Sequence, residues 1–176
     1  MQRVSDETLI PMLPIEEFER RERRRMSPVA DIWDLLDRVK DPEVPVISIW
    51  ELGVLQDITV QEDVVTVSIT PTYSGCPAIN AMAEDIVDCL AAAGYDHVNV
   101  QTRLQPAWTT SWMSAEAKRK LVDYGIAPMQ KDDEGIQCPH CRSVDVKLVS
   151  YFGSTACKAL YQCKSCDEPF DYFKNL

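Results

Sequence analysis

Two cysteine pairs constrain this chain more than any other feature. Cys138-Pro139-His140-Cys141 and Cys163-Lys164-Ser165-Cys166 are separated by 21 residues. A C-x-x-C turn aims two sulfurs at one point, and two such turns supply the four thiolates that suit a tetrahedral ion. Residues 144–151 and 158–162 can pair as strands and bring the turns together. A ribbon over residues 138–176 has too small a core to fold alone, so metal supplies much of its stability. Four thiolates leave no coordination position open, so zinc held on Cys138, Cys141, Cys163 and Cys166 is structural, not catalytic. Zinc is the expected ion, although spacing alone does not separate it from a rubredoxin-like iron site. His140, between two ligands, reads as a surface residue of its turn.

The rest of the composition fits a cytoplasmic protein. Of seven cysteines, four fall in those pairs, which in a reducing compartment means metal, not disulfides. No apolar run approaches the ~20 residues that span a bilayer, and the N-terminus has no secretory apolar core. Charge is uneven. Residues 1–26 hold 6 basic and 6 acidic side chains, residues 27–135 hold 7 and 18, and residues 136–176 hold 5 and 4. A body with net charge −11 repels phosphate backbones, so protein partners are expected and nucleic acid is not.

Residues 1–26 read as a flexible tail. Pro11 and Pro14 break its apolar start, and the run from Glu16 to Arg25 mixes both signs like a solvated or frayed helix. Residues 27–125 read as one α/β (α+β) domain with three helices and a small sheet. Ser27-Pro28 opens a helix carrying Ile32, Leu35, Leu36 and Val39 at helical spacing. Residues 54–60 and 64–70 are strand-like around a Gln61-Glu62-Asp63 turn. Residues 78–93 form a second helix that buries Cys89 and stops at Gly94. His97 opens a further strand, and Ser114 caps a third helix that stops at Gly125. Residues 126–137, with Pro128, Gly135 and the Lys131-Asp132-Asp133-Glu134 charge run, read as a linker.

Two more thiols stand out. Cys76 precedes Pro77, which suits the first position of the second helix, so Cys76 falls at the cap. There the helix dipole and free N–H groups lower a thiol pKa and favour a nucleophile or a soft-metal ligand. A purely structural cap is the alternative. Thr70, Thr72 and Ser74 place hydroxyls nearby. Cys157 is either a small buried hydrophobe supporting the ribbon or a fifth thiol facing a partner or cluster. Asp41 and Glu43 flank Pro42 at a helix end, either as caps or as acid–base or metal-binding groups. Phe170, Tyr172 and Phe173 read as apolar cover for the ribbon.

Asp41-Pro42-Glu43-Val44-Pro45, Leu52-Gly53-Val54 and the stretch from Thr70 to Pro77 resemble the small α/β domain of iron–sulfur assembly proteins, including the SufT-like and eukaryotic cytosolic factors. Pro106-Ala107-Trp108-Thr109-Thr110, the ribbon and the stretch from Phe152 to Tyr161 resemble more narrowly the PaaD (also labelled PaaJ) components of bacterial ring-1,2-phenylacetyl-CoA epoxidase systems. The resemblance covers about residues 28–174. Gln105 stands where an acidic residue is expected in the family, which weakens a metal role for that loop. The resemblance implies an accessory or assembly subunit in aerobic phenylacetate breakdown. Its partners would be the oxygenase or reductase subunits, with self-association left open. It also implies transient iron or an iron–sulfur cluster on Cys76 or Cys157, supported by Asp41, Glu43, Thr70, Thr72 and Ser74. A non-catalytic structural subunit is the other reading. The chain has no Glu-x-x-His pair for a diiron site, no G-x-G-x-x-G and no plant-type ferredoxin spacing. It is therefore not expected to be the oxygenase, the reductase or the electron carrier.

Overall fold

The computed structural model describes residues 15–129 and 135–174. Pro11, Pro14 and the Lys131-Asp132-Asp133-Glu134 run lie outside the described residues. Among the described residues, four α-helices and seven strands run in the order α1 (Ile15–Met26), α2 (Ala30–Leu36), β1 (Leu55–Gln61), β2 (Val64–Ile69), α3 (Ala78–Ala92), β3 (Val98–Thr102), α4 (Ala115–Asp123), β4 (Ile126–Ala127), β5 (Val146–Ser150), β6 (Lys158–Cys163) and β7 (Pro169–Phe173). They build two small sheets, ordered β1-β2-β3 and β4-β7-β6-β5. The mixed α and β class expected from the sequence holds.

The first sheet follows from its turns. Glu62 and Asp63 both take positive φ, 47° and 68°, the conformation of a two-residue hairpin turn that matches strand twist. β1 and β2 are therefore antiparallel, while β3 lies parallel to β2 because α3 carries the chain back across the sheet. Met82, Ile86 and Leu90 of α3 meet Ile32, Trp33 and Leu36 of α2 and the buried side of β2 in one core.

Gly53 shows how tightly that core closes. Its φ is +84°, and a Cβ there would lie 2.8 Å from Trp112 Cβ and 2.9 Å from Trp112 O. Gly53→Ala combines left-handed strain with overpacking and should cost about 3 kcal/mol. Chemical denaturation checks this, and an unchanged midpoint contradicts it.

Two stretches differ from the sequence reading. The segment read as a tail contains α1, and α1 is anchored to the body. Arg20 is 3% exposed. It donates to Trp112 O, to Trp50 O at 3.1 Å and to Leu55 O at 3.1 Å, with its guanidinium 4.3 Å above the Trp50 ring. Arg24 adds ion pairs to Asp34 and Asp37. Residues 27–125 themselves hold the three α-helices expected of them, α2, α3 and α4, and α1 adds a fourth from the segment before them. The stretch read as a linker contains β4, which pairs in parallel with β7. Ile126 and Ala127 are both buried, which favours strand pairing over exposure.

The ribbon has three antiparallel strands, β5-β6-β7, rather than two. Its own small core contains Ala127, Cys138, Cys163 and Phe170. Phe173 and Cys157 instead join the main core, where Phe173 packs against Trp108 at 5.8 Å between ring centroids. The ribbon is thus fastened to the α/β domain by Phe173 on one face of β7 and by β4 along its edge.

Candidate metal centre

The two C-x-x-C turns are built alike. In each, the first cysteine's N–H bonds the carbonyl five residues on, Cys138 to Ser143 O and Cys163 to Glu168 O. The residue after each second cysteine, Arg142 or Asp167, takes a positive φ near 60°. This turns the backbone so that both sulfurs of a pair face one side. Across the site, Cys138 and Cys166 sulfurs are 3.8 Å apart, and those of Cys141 and Cys163 are 3.5 Å apart. All four lie within 4.8 Å of one another. A tetrahedral ion with metal–sulfur bonds of about 2.3 Å has sulfur–sulfur edges of about 3.8 Å, so the donor set fits a metal without rearrangement.

The electrostatics fit as well. Burial raises the Cys163 thiol, but N–H groups of Cys166 and Ser165 outweigh it and bring Cys163 down to about 6. Cys166 accepts an N–H from Glu168, which lowers it, yet burial and the neighbouring thiols push it up to about 12. Four clustered sulfurs cannot all ionise alone, and a bound dication removes that conflict.

A second group of thiols forms where the ribbon meets the α/β domain. Cys76 lies in the turn before α3, and Cys157 lies in the turn before β6. Both are buried. Cys157 Sγ is 4.0 Å from Glu43 Oε2 and 3.0 Å from Thr155 Oγ1. Asp41 Oδ1 accepts the N–H groups of Glu43 at 2.8 Å and Val44 at 2.7 Å. The two carboxylates therefore divide the expected roles: Asp41 caps the turn, and Glu43 faces a thiol. Beside them, Lys158 is buried and donates to Ser154 Oγ at 3.2 Å.

Cys76 stands one residue before the expected cap position, because α3 begins at Ala78 and Pro77 is its N-cap. It still receives an N–H from Ala78, but its acidity runs opposite to the sequence expectation. Burial pushes the thiol up, and nearby Glu43, Cys157 and Asp41 add to the rise. Burial raises Cys157 in the same way. The dipole argument counts one local effect, whereas desolvation comes from the whole fold. In folded protein with its ribbon metal in place, iodoacetamide at neutral pH should therefore modify Cys76 more slowly than a free cysteine, and the rate should keep rising above pH ~8.5. Faster-than-free alkylation at pH 7, followed by mass spectrometry, contradicts this.

The hydroxyls divide too. Thr72 is buried, Ser74 is exposed, and Thr70 lines a separate 430 Å³ cavity under α1 with Arg20, Gln105 and Trp112. Hydroxyls that reach the thiols are those of Thr155, at Cys157, and Tyr73, at Cys76, neither of which sequence reasoning singled out as a site group. Cys89 is half-buried with its sulfur 3.5 Å from Leu35 O. His97 and His140 are exposed.

Comparison with known proteins places this architecture. Residues 29–102 match the "iron-sulfur cluster assembly protein" family, and residues 126–174 match the "PaaD zinc beta ribbon domain". The chain is 45% identical over 152 residues to an Escherichia coli (strain K12) protein whose assignment as the D component of 1,2-phenylacetyl-CoA epoxidase is provisional. That match covers 83% of this chain and 92% of the relative. The chain belongs to the PaaD family of phenylacetyl-CoA epoxidase components.

A second relative is the "Fe-S protein maturation auxiliary factor" of Porphyromonas gingivalis (strain ATCC BAA-308 / W83). It is 34% identical over 93 residues, covering 52% of this chain and 88% of that protein. Among solved structures, a Bacillus anthracis domain of unknown function (DUF59) overlays with a TM-score of 0.49 at 24% identity. It covers 59% of this chain and 95% of that one. Within this PaaD-family chain, the four ribbon cysteines lie in the zinc-ribbon match and Cys76 lies in the iron–sulfur assembly match. Glu43 and Cys157 come one from each match and meet in the structure.

Proposed function

We propose that this chain is an accessory subunit of the ring-1,2-phenylacetyl-CoA epoxidase system of aerobic phenylacetate catabolism. It matures or maintains an iron or iron–sulfur centre of the oxygenase or reductase. One observation carries the reading: an assembly-type domain and a zinc ribbon stand in one chain, aligned over 92% of a PaaD-type relative. The similarity of the first domain to an iron–sulfur maturation factor supports the assembly role. The ribbon holds a structural zinc on Cys138, Cys141, Cys163 and Cys166. Cys76, with Cys157 and Glu43 beside it, handles the iron cargo. The protein works in the cytoplasm against other epoxidase subunits. Among the described residues, no helix is long and apolar enough to cross a membrane.

A permanent, non-catalytic subunit is the second reading. The exposed Leu148, Val149, Tyr151 and Phe152 at the edge of the ribbon sheet favour it, since they suit a standing interface. Two experiments separate the readings from each other and from catalysis. The isolated chain, given reductant and oxygen, should not epoxidise phenylacetyl-CoA, and turnover by the chain alone contradicts both. Stoichiometric copurification with the mature epoxidase supports the permanent subunit, and substoichiometric recovery supports maturation.

A further inference from the structure

Helix α1 buries its charges and exposes its apolar side chains. Glu17 and Arg20 are the buried residues, each 3% exposed. Ile15, Phe18 and Met26 are 67%, 54% and 74% exposed. A surface helix ordinarily turns its apolar stripe to the core. Here Arg20, held by three carbonyls, and Arg24, paired to Asp34 and Asp37, fix the polar side inward. At 3.6 residues per turn, Ile15, Phe18, Glu22 and Met26 share an outer arc of about 80°. Their spacing of three and four residues is that of a seam between two helices.

The charges beside the stripe are complementary to themselves. Glu19 lies in the first half of α1 and Arg23 in the second, one turn apart on the same flank. Both are exposed, and among the described residues neither has an ion-pair partner. Glu22, inside the stripe, is already neutralised by Arg25 at 2.7 Å. An acid before the midpoint and a base after it match the same helix running the other way.

We infer that α1 is a dimerisation helix, whose outer face packs antiparallel against α1 of a second copy of this chain about a two-fold axis. With the axis at the helix midpoint, between Arg20 and Arg21, Ile15 stands level with Met26 of the second copy at both ends. The two Phe18 rings lie on either side of the axis. Equivalent flanks meet in a two-fold contact, so Glu19 of each copy comes within one residue, ~1.5 Å of rise, of Arg23 of the other. Two ion pairs form. A parallel pair sets Glu19 against Glu19 and Arg23 against Arg23, so charge selects the antiparallel arrangement. One 12-residue helix from each copy makes a small interface, with a dissociation constant on the order of 10–100 µM. Assembly of this kind is independent of any cargo.

Sedimentation velocity of the full, zinc-loaded chain from about 1 to about 300 µM, spanning that constant, is the test. Wild type should pass from monomer to dimer. Phe18→Asp should stay monomeric, and Glu22→Leu, which completes the stripe, should tighten the dimer about tenfold. Glu19→Arg and Arg23→Glu should each weaken it about tenfold by setting like charges opposite. Mixed one to one, those two variants should form a heterodimer of near wild-type affinity, because each copy then meets its complement. Far-UV circular dichroism and zinc content, unchanged in each variant, show that the fold survives. If Phe18→Asp loses its helix, Glu22→Leu and the mixture decide. A wild type that stays monomeric throughout overturns the inference, as does a dimer that survives a folded Phe18→Asp, or a mixture no tighter than its parts. If monomeric wild type binds purified epoxidase and Phe18→Asp does not, the outer face of α1 belongs to an epoxidase subunit instead.

Discussion

Cys138→Ser or Cys163→Ser should empty the ribbon and unfold it. Metal on four thiolates contributes about 10–16 kcal/mol of apparent folding energy in small zinc domains, far more than a ribbon core of this size can replace. The damage should also spread. Phe173 packs on Trp108, Cys157 belongs to the main core, and β4 leaves α4 to pair with β7. Losing the Phe173 contact alone is comparable to a large-to-small core substitution, about 3 kcal/mol. For a domain of this size that corresponds to a fall of about 15 °C in the melting temperature of the α/β part. Metal analysis together with tryptophan-detected melting measures both effects. One tightly bound ion and a wild-type melt in Cys138→Ser contradict the assignment. An unfolded ribbon above an undisturbed α/β domain contradicts the shared core.

Removal of Arg20 should be nearly as costly. Burial pushes its guanidinium down to about 10, so it remains charged at neutral pH and its desolvation is a continuous cost. Three carbonyls and the face of Trp50 offset that cost. Alanine leaves a cavity and deprives buried carbonyls of their donor, for a loss of about 3 kcal/mol. Lysine should not rescue it, because a single ammonium lacks the fork that reaches three acceptors. With α1 released, trypsin should cut rapidly at Arg21, Arg23, Arg24 and Arg25. Denaturant midpoints and digestion rates read the outcome, and wild-type values for Arg20→Ala remove α1 as an anchor.

These two sites also show what the sequence reveals and what it hides. The metal cluster was legible because its chemistry is local: each turn places its own two sulfurs, and the spacing is written in the chain. The α2, β1–β2 and α3 elements were legible for the same reason, through periodic apolar residues and turn chemistry. Arg20 was not legible. It stands in a run of charges whose pattern reads as solvated, and only the position of Trp50, Leu55 and Trp112 in the fold singles it out. Strand β4 was hidden by the Pro and charge signals that follow it. Cys157 was visible as an unusual thiol, but its neighbours Glu43 and Thr155 depend on how two domains pack. Cys76 lies beside the start of α3, one residue before its cap Pro77 rather than at the cap itself. Its acidity was misjudged because a helix end is a local feature and burial is not.

A chain that supports a metal centre of the epoxidase, without being the oxygenase, should leave its mark on the enzyme made in its absence. The most direct measurement is the iron content and turnover of epoxidase purified from cells that lack this chain, make it intact, or make it as Cys76→Ser. Iron and turnover should fall together without the chain, return with the intact protein and stay low with Cys76→Ser. Epoxidase with full iron and full turnover from cells lacking the chain would contradict that role.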